Sequence, residues 1–178
     1  MADADSVPLT LDDLRAVAGF AANCAAEVLT LFEQVRPTDA RPREAIEAAR
    51  TFARGGKRGK ALRDTAWAAL RAAGEAGDTA AGQAARACVA AAGAAYLHPL
   101  AKATQVKHVL GAAAHAARAL EMATDGDASA AERALERARQ RATPVLVDVL
   151  RRYPAVPAGG GRVGELMREL DRAFRERA

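Results

Sequence analysis

His98, His108 and His115 are the chain's three imidazoles, and they fall in one short stretch. An imidazole can ligate a metal, move a proton or hold a buried hydrogen bond. If one helix ran through this stretch, His98, Lys102 and Gln105 would share a sector of roughly 60° at about 100° per residue. His108 and His115, seven apart, would share a second line roughly 70° away. Zinc ligands on one helix stand three or four residues apart. These spacings do not match, and no Cys or acidic residue completes a set, so no metal site is read here. Two readings remain. The histidines are hydrogen-bonded residues at the edge of an alanine-rich core, or Tyr96, His98, Lys102, Gln105 and His108 line a pocket.

The second constellation lies in the stretch from Asp39 to Gly55. Asp39 offers a carboxylate to free N–H groups at a helix start, and Pro42 in the first turn needs no partner for its nitrogen. Ile46, Ala49 and Ala53 repeat at helical spacing and give a buried face. Arg43, Glu47 and Arg50 sit three and four apart and predict one charged ladder. Asp39, Arg41, Arg43 and Glu47 could form a fixed polar cluster, because Arg forks pair well with planar carboxylates. The alternative is a well-capped surface helix.

Other chemistries are poorly supported. Serine occurs only at Ser6 and Ser129, so no nucleophilic triad is legible. Cys24 and Cys88 lie in apolar runs and read as small reduced core residues. Gly59-Lys60 is followed by Ala61, so the phosphate-loop pattern is incomplete, and no Rossmann fingerprint occurs. No catalytic residue can be named and no cofactor is expected.

The elements that must position these residues are helices. Alanine makes up over a quarter of the chain and aromatics only 4%. A core of that kind needs helices that approach closely. Thr10 and Asp13 predict a capping box ahead of an apolar stripe that runs to about residue 34. Further helices are expected from the Asp39 start to 54, and over 61–73, 79–97, 99–123, 128–142, 145–152 (after a Thr143-Pro144 cap) and 162–176. Pro99 is expected to break the chain between the two central, alanine-rich segments rather than kink one long helix. The result is an all-α, single-domain bundle of seven to eight helices over 10–178, with a flexible lead at 1–9.

The net charge of +4 is modest, and only four basic residues are Lys, which fits the residue usage of a GC-rich genome. From Arg41 to Lys60, seven basic residues face two acidic ones, a locally positive edge that suits solvent or an acidic partner. Without interleaved aromatics or a helix-turn-helix pattern, no specific nucleic-acid binding is expected. The N-terminus lacks a signal-peptide pattern and no run suits a membrane span, so a cytoplasmic protein with no membrane contact is expected.

Three segments resemble the immunity proteins of bacterial polymorphic-toxin systems, the Imm-5-like helical family. They are the Asp39–Gly55 stretch, the stretch from Ala94 through Gln105, His108 and Gly111 to Ala119, and Val149-Leu-Arg-Arg-Tyr-Pro. The resemblance implies an all-helical protein that binds and neutralises a cognate toxin. Where members often show Tyr this chain has His115, and where they often show Trp it has Phe52. Similar chains are also labelled SbcC-type exonuclease, a label that an incomplete phosphate loop and a short chain do not support. The leading expectation is a toxin-binding immunity protein that uses Asp39, Arg41, Arg43, Glu47, Arg50, Tyr96, His98, Lys102, Gln105 and His108. The alternative is a small-molecule-binding protein or enzyme, with a pocket where the 39–47 and 98–108 segments meet.

Overall fold

The structure is a computed structural model and describes residues 6–176. Its first helix, α1 (Leu11–Ala26), begins where Thr10 and Asp13 satisfy each other. Thr10 Oγ1 accepts the Asp13 N–H at 3.1 Å, and Asp13 Oδ2 accepts the Thr10 N–H at 2.9 Å. Val28 then departs from helical geometry (φ −116°, ψ 0°), and a short α2 (Leu29–Glu33) follows. The single stripe expected to residue 34 is therefore two helices. No Gly or Pro marks the break. The Glu27 carboxylate beside it accepts from Arg137 and Arg141, over a hundred residues away.

Pro42 in the first turn of α3 (Arg41–Ala53) and Gly55 at φ +109° after it bound that helix as expected. α4 (Lys60–Ala76) runs past Gly74, which was expected to open a turn, and stops at Gly77 (φ +71°). Thr79 Oγ1 caps α5 (Ala80–Ala94) by accepting from Gly82 N–H at 3.0 Å. A single 3-10 turn (Ala103–Gln105) leads into α6 (Val106–Ala123). α7 (Ala128–Arg141), α8 (Pro144–Arg151) and α9 (Gly161–Arg175) complete the chain. Among the described residues there are thus nine α-helices, against the seven or eight expected, and no strand beyond an isolated bridge between Ser6 and Leu100. The protein is all-α.

α5 packs against α1, α2, α3, α4 and α6, while α6 packs against α1, α5, α7 and α9. The two least charged segments are therefore the centre, because only a helix with small residues on most sides can accept so many neighbours. Ten of the fifteen residues of α5 are buried. The larger side chains close the periphery: Phe32, Phe52 and Phe174 are fully buried, and Phe174 meets Phe20 edge-on at 6.2 Å.

Pro99 does break the chain, but the break is wider than expected. α5 ends at Ala94 and α6 begins only at Val106, not at 99. The intervening loop is held from both sides. Gln105 Oε1 accepts the His98 N–H at 3.0 Å, and the Tyr153 hydroxyl donates to the His98 carbonyl at 2.8 Å. Val7 N–H donates to the Pro99 carbonyl at 3.0 Å and its side chain is buried. Pro8 O accepts from Arg152 at 2.7 Å. Within the expected loose lead Val7 is buried while Ser6 and Pro8 are exposed, and residues 1–5 of that lead lie outside the described residues. Among the described residues no helix is long and apolar enough to cross a membrane.

Candidate functional site

The start of α3 carries the first cluster. Asp39 Oδ1 accepts the Arg41 backbone N–H at 3.2 Å and its Nε at 2.8 Å, so the carboxylate orients the guanidinium and holds the first N–H of α3, although Ala40 rather than Asp39 stands at the N-cap. The other side of that guanidinium donates to both oxygens of Glu75, at 3.1 and 2.6 Å, at the far end of α4. Arg43 forks onto Glu33 through Nε and Nη2 at 2.7 and 2.8 Å. The expected Arg43–Glu47–Arg50 ladder is therefore split. Only Glu47 and Arg50 pair, at 2.8 Å, because the bidentate geometry offered by Glu33 suits the Arg43 fork better. The hydrogen bonds from Arg41 hold both Asp39 and Glu75 below the usual carboxylate range. Val35, 64% exposed, stands on the turn between Glu33 and Asp39. The face is charged and solvent-facing, with its Arg forks already held.

The second set does not join it. Among the described residues no hydrogen bond or ion pair links the 39–50 segment to the 98–108 segment. α3 packs on α1, α4 and α5, and α6 lies beyond α5 and α1. The shared pocket expected from the sequence is therefore not formed. Tyr96 clamps the turn before α4 instead. Its hydroxyl donates to Gly59 O at 3.2 Å, and Arg58 stacks over its ring at 5.7 Å while donating to Ala95 O at 3.1 Å. His98 and Lys102 are exposed on the loop, and Gln105 closes that loop. Because no helix runs through 98–105, the common face for His98, Lys102 and Gln105 does not exist.

His108 faces elsewhere, into a groove of about 430 Å³. Leu70 of α4 and Met167 of α9 form its sides. Its floor comes from α5 (Arg86, Val89, Ala90, Gly93) and α6 (Lys107, His108, Gly111, His115). The helices run antiparallel here: Gly93 lies opposite His108, and Ala90 opposite Gly111. The sequence places His108 and His115 on one line and marks Gly111, but it does not point to Arg86, Gly93 or Lys107 as their neighbours. Their partners across the groove come from a different helix, which no spacing within one segment reveals.

The family comparison bears on all of this. The family model for the Imm-5 like putative immunity protein matches residues 8–143, about three quarters of the chain. The chain belongs to that family. No curated protein and no solved structure matches it. Within this Imm-5 like protein the matched span takes in α1 to α7, hence both the α3 face and the two helices that floor the groove. α8 and α9 lie beyond it, yet α9 is tied to α6 through the buried Glu121. That carboxylate accepts from Arg118 at 2.6 Å and from Arg162 at 2.8 Å, and these bonds keep it ionised below its ordinary range.

The groove of this Imm-5 like chain also has a defined polar chemistry. His115 Nδ1 lies 2.8 Å from Gln83 Oε1, and Gln83 Nε2 lies 3.1 Å from Asp78 Oδ1. A carboxylate only accepts, so the Gln83 amide must turn its nitrogen to Asp78 and its oxygen to His115. Nδ1 of His115 then carries the proton. Burial and the nearby Arg86 charge push His115 down to about 4, so the ring is neutral at pH 7. Burial, with Lys107 beside it, also lowers His108. The two thiols are inert by comparison: burial raises both Cys24 and Cys88 to about 12.

Proposed function

We propose that this chain is an immunity protein that binds a cognate toxin protein through the charged face around the start of α3 and thereby neutralises it. Membership of the Imm-5 like family supports the immunity role in general. The observation that carries the choice of surface is the pair of held Arg forks, Arg41 between Asp39 and Glu75 and Arg43 on Glu33, flanking exposed Val35. A guanidinium already fixed by carboxylates loses little further freedom when a partner docks, and Arg is enriched where binding energy concentrates. An apolar residue between fixed charges offers a partner a desolvated centre and a polar rim. The cytoplasm is the compartment we assign, because free, buried thiols at Cys24 and Cys88 suit a reducing environment.

Growth protection tests this reading. Toxin domains drawn from the genome that encodes this chain are expressed in a bacterial host together with wild-type protein, Val35→Asp or Arg43→Ala. Wild type is expected to restore growth, and both variants to lose protection at unchanged protein levels. Full protection by both variants would remove the α3 face from the site, and failure of wild type to protect would remove the toxin assignment.

A further inference from the structure

The groove on the far side of α5 has features that helix packing does not require. In a chain that mostly uses Ala where helices approach, with Gly19 of α1 against Ala53 of α3 an exception, the groove floor carries both Gly93 and Gly111. A Cβ at Gly93 would stand 3.8 Å from His108 Nδ1, and one at Gly111 3.7 Å from the Ala90 Cβ, both ordinary contacts. Alanine would therefore fit, and in a helix interior it is more stable than glycine by roughly 0.5–1 kcal/mol. What the two glycines provide is open space along the α5–α6 seam.

The charges along that seam are as distinctive as its shape. Arg86, beside His115, marks one end, and Lys107, beside the His108 that faces Gly93, marks the other. The seven-position separation of Arg86 and Gly93 spans about 10 Å of helix. Leu70, Val89, Ala90 and Met167 make the stretch between them apolar, and no carboxylate lines it. Among the described residues Arg86 donates only through Nη1, to Gly77 O at 3.0 Å, and Lys107 has no ion-pair partner. Two cations separated by an apolar floor match one elongated shape, an aliphatic chain with a carboxylate at each end.

We propose that the groove between α4, α5, α6 and α9 is a binding site for an aliphatic dicarboxylate, with one carboxylate on the Arg86 fork and the other on Lys107. The volume of about 430 Å³ lies in the range of small-ligand sites. Arg86 receives a carboxylate through the guanidinium nitrogens that Gly77 leaves open, and the methylenes lie over Gly111 and Ala90. This site is separate from the α3 face and does not depend on the toxin assignment.

The test titrates ¹⁵N-labelled protein with octanedioate, octanoate and butanedioate, following amide shifts. Octanedioate is expected to give saturable shifts at Gly93, His108 and Gly111, and to bind at least about tenfold more tightly than the other two. Lys107→Gln changes an exposed, unpaired side chain and is expected to fold normally. It should bring octanedioate down to the affinity of octanoate while leaving octanoate unchanged. The double variant Gly93→Ala/Gly111→Ala should melt at a higher temperature than wild type yet bind octanedioate about tenfold more weakly. No saturable shifts, equal affinity for octanoate and octanedioate, or an unaltered octanedioate affinity in Lys107→Gln would overturn the proposal.

Discussion

At the scale of single residues, the physics of this protein is set by which charges are held and which are suppressed. His115 shows the second case. Its ring is kept neutral, so folding favours the unprotonated form and the unfolded chain binds the extra proton. The stability this provides is present above the ordinary histidine value of 6.5 and is lost as pH falls towards about 4, where it amounts to about 3 kcal/mol. His108 acts in the same direction. Urea unfolding between pH 7 and pH 4 should therefore show wild-type stability falling more steeply than that of His115→Gln. Parallel curves would show that the His115 ring is not suppressed. Residue types are the most legible part of the site: the Asp39 carboxylate, the Arg forks and the odd imidazole at 115 all stand out in an Ala-rich chain. Their partners were not legible. Arg43 meets Glu33 across a turn, and His115 meets Gln83 from another helix, so neither pairing follows a helical spacing.

At the scale of elements, the helices with local signals began where those signals lie, and the departures have tertiary causes. The capping box at Thr10, Thr79 before α5 and Pro144 at the start of α8 all mark real helix starts. The break at Val28 and the delayed start of α6 have no comparable local mark. The first sits beside the Glu27 pairs with α7, and the second lies within a loop tied to Val7, Gln105 and Tyr153. That loop supplies a prediction. Tyr153 is buried, and its hydroxyl donates to the His98 carbonyl. Tyr153→Phe keeps the ring and removes this bond, so it should destabilise the protein by about 1 kcal/mol. Amide exchange should accelerate over residues 95–105 first. An unchanged midpoint with unchanged exchange would mean that the loop is held by its other ties alone.

At the scale of the whole molecule, the central α5–α6 pair decides what can be joined. The fold class and the identity of the central helices were readable because an alanine-rich, nearly uncharged helix must be surrounded. The sequence suggests one surface, because its distinctive residues lie in two segments that each carry the polar groups the other lacks. The bundle interposes α5 and α1, and the two segments satisfy their polar groups locally: carboxylates with Arg around α3, backbone carbonyls and Gln105 around His98. One face is thereby left charged, with its Arg forks held, and a different one opens as a groove. Two independent binding events are therefore expected, a protein on the α3 face and a small dianion in the groove.

The most direct test of the central claim is a calorimetric titration of the purified toxin domain into wild-type protein and into Arg43→Ala, with thermal midpoints recorded on the same samples. Arg43 is exposed, so its removal should leave the midpoint nearly unchanged. Loss of a held Arg at an interface should weaken binding by about 2 kcal/mol, about thirtyfold in Kd. A saturable wild-type complex with that loss in a stably folded variant is the expected result. Equal affinity of the two proteins would contradict the assignment of the α3 face.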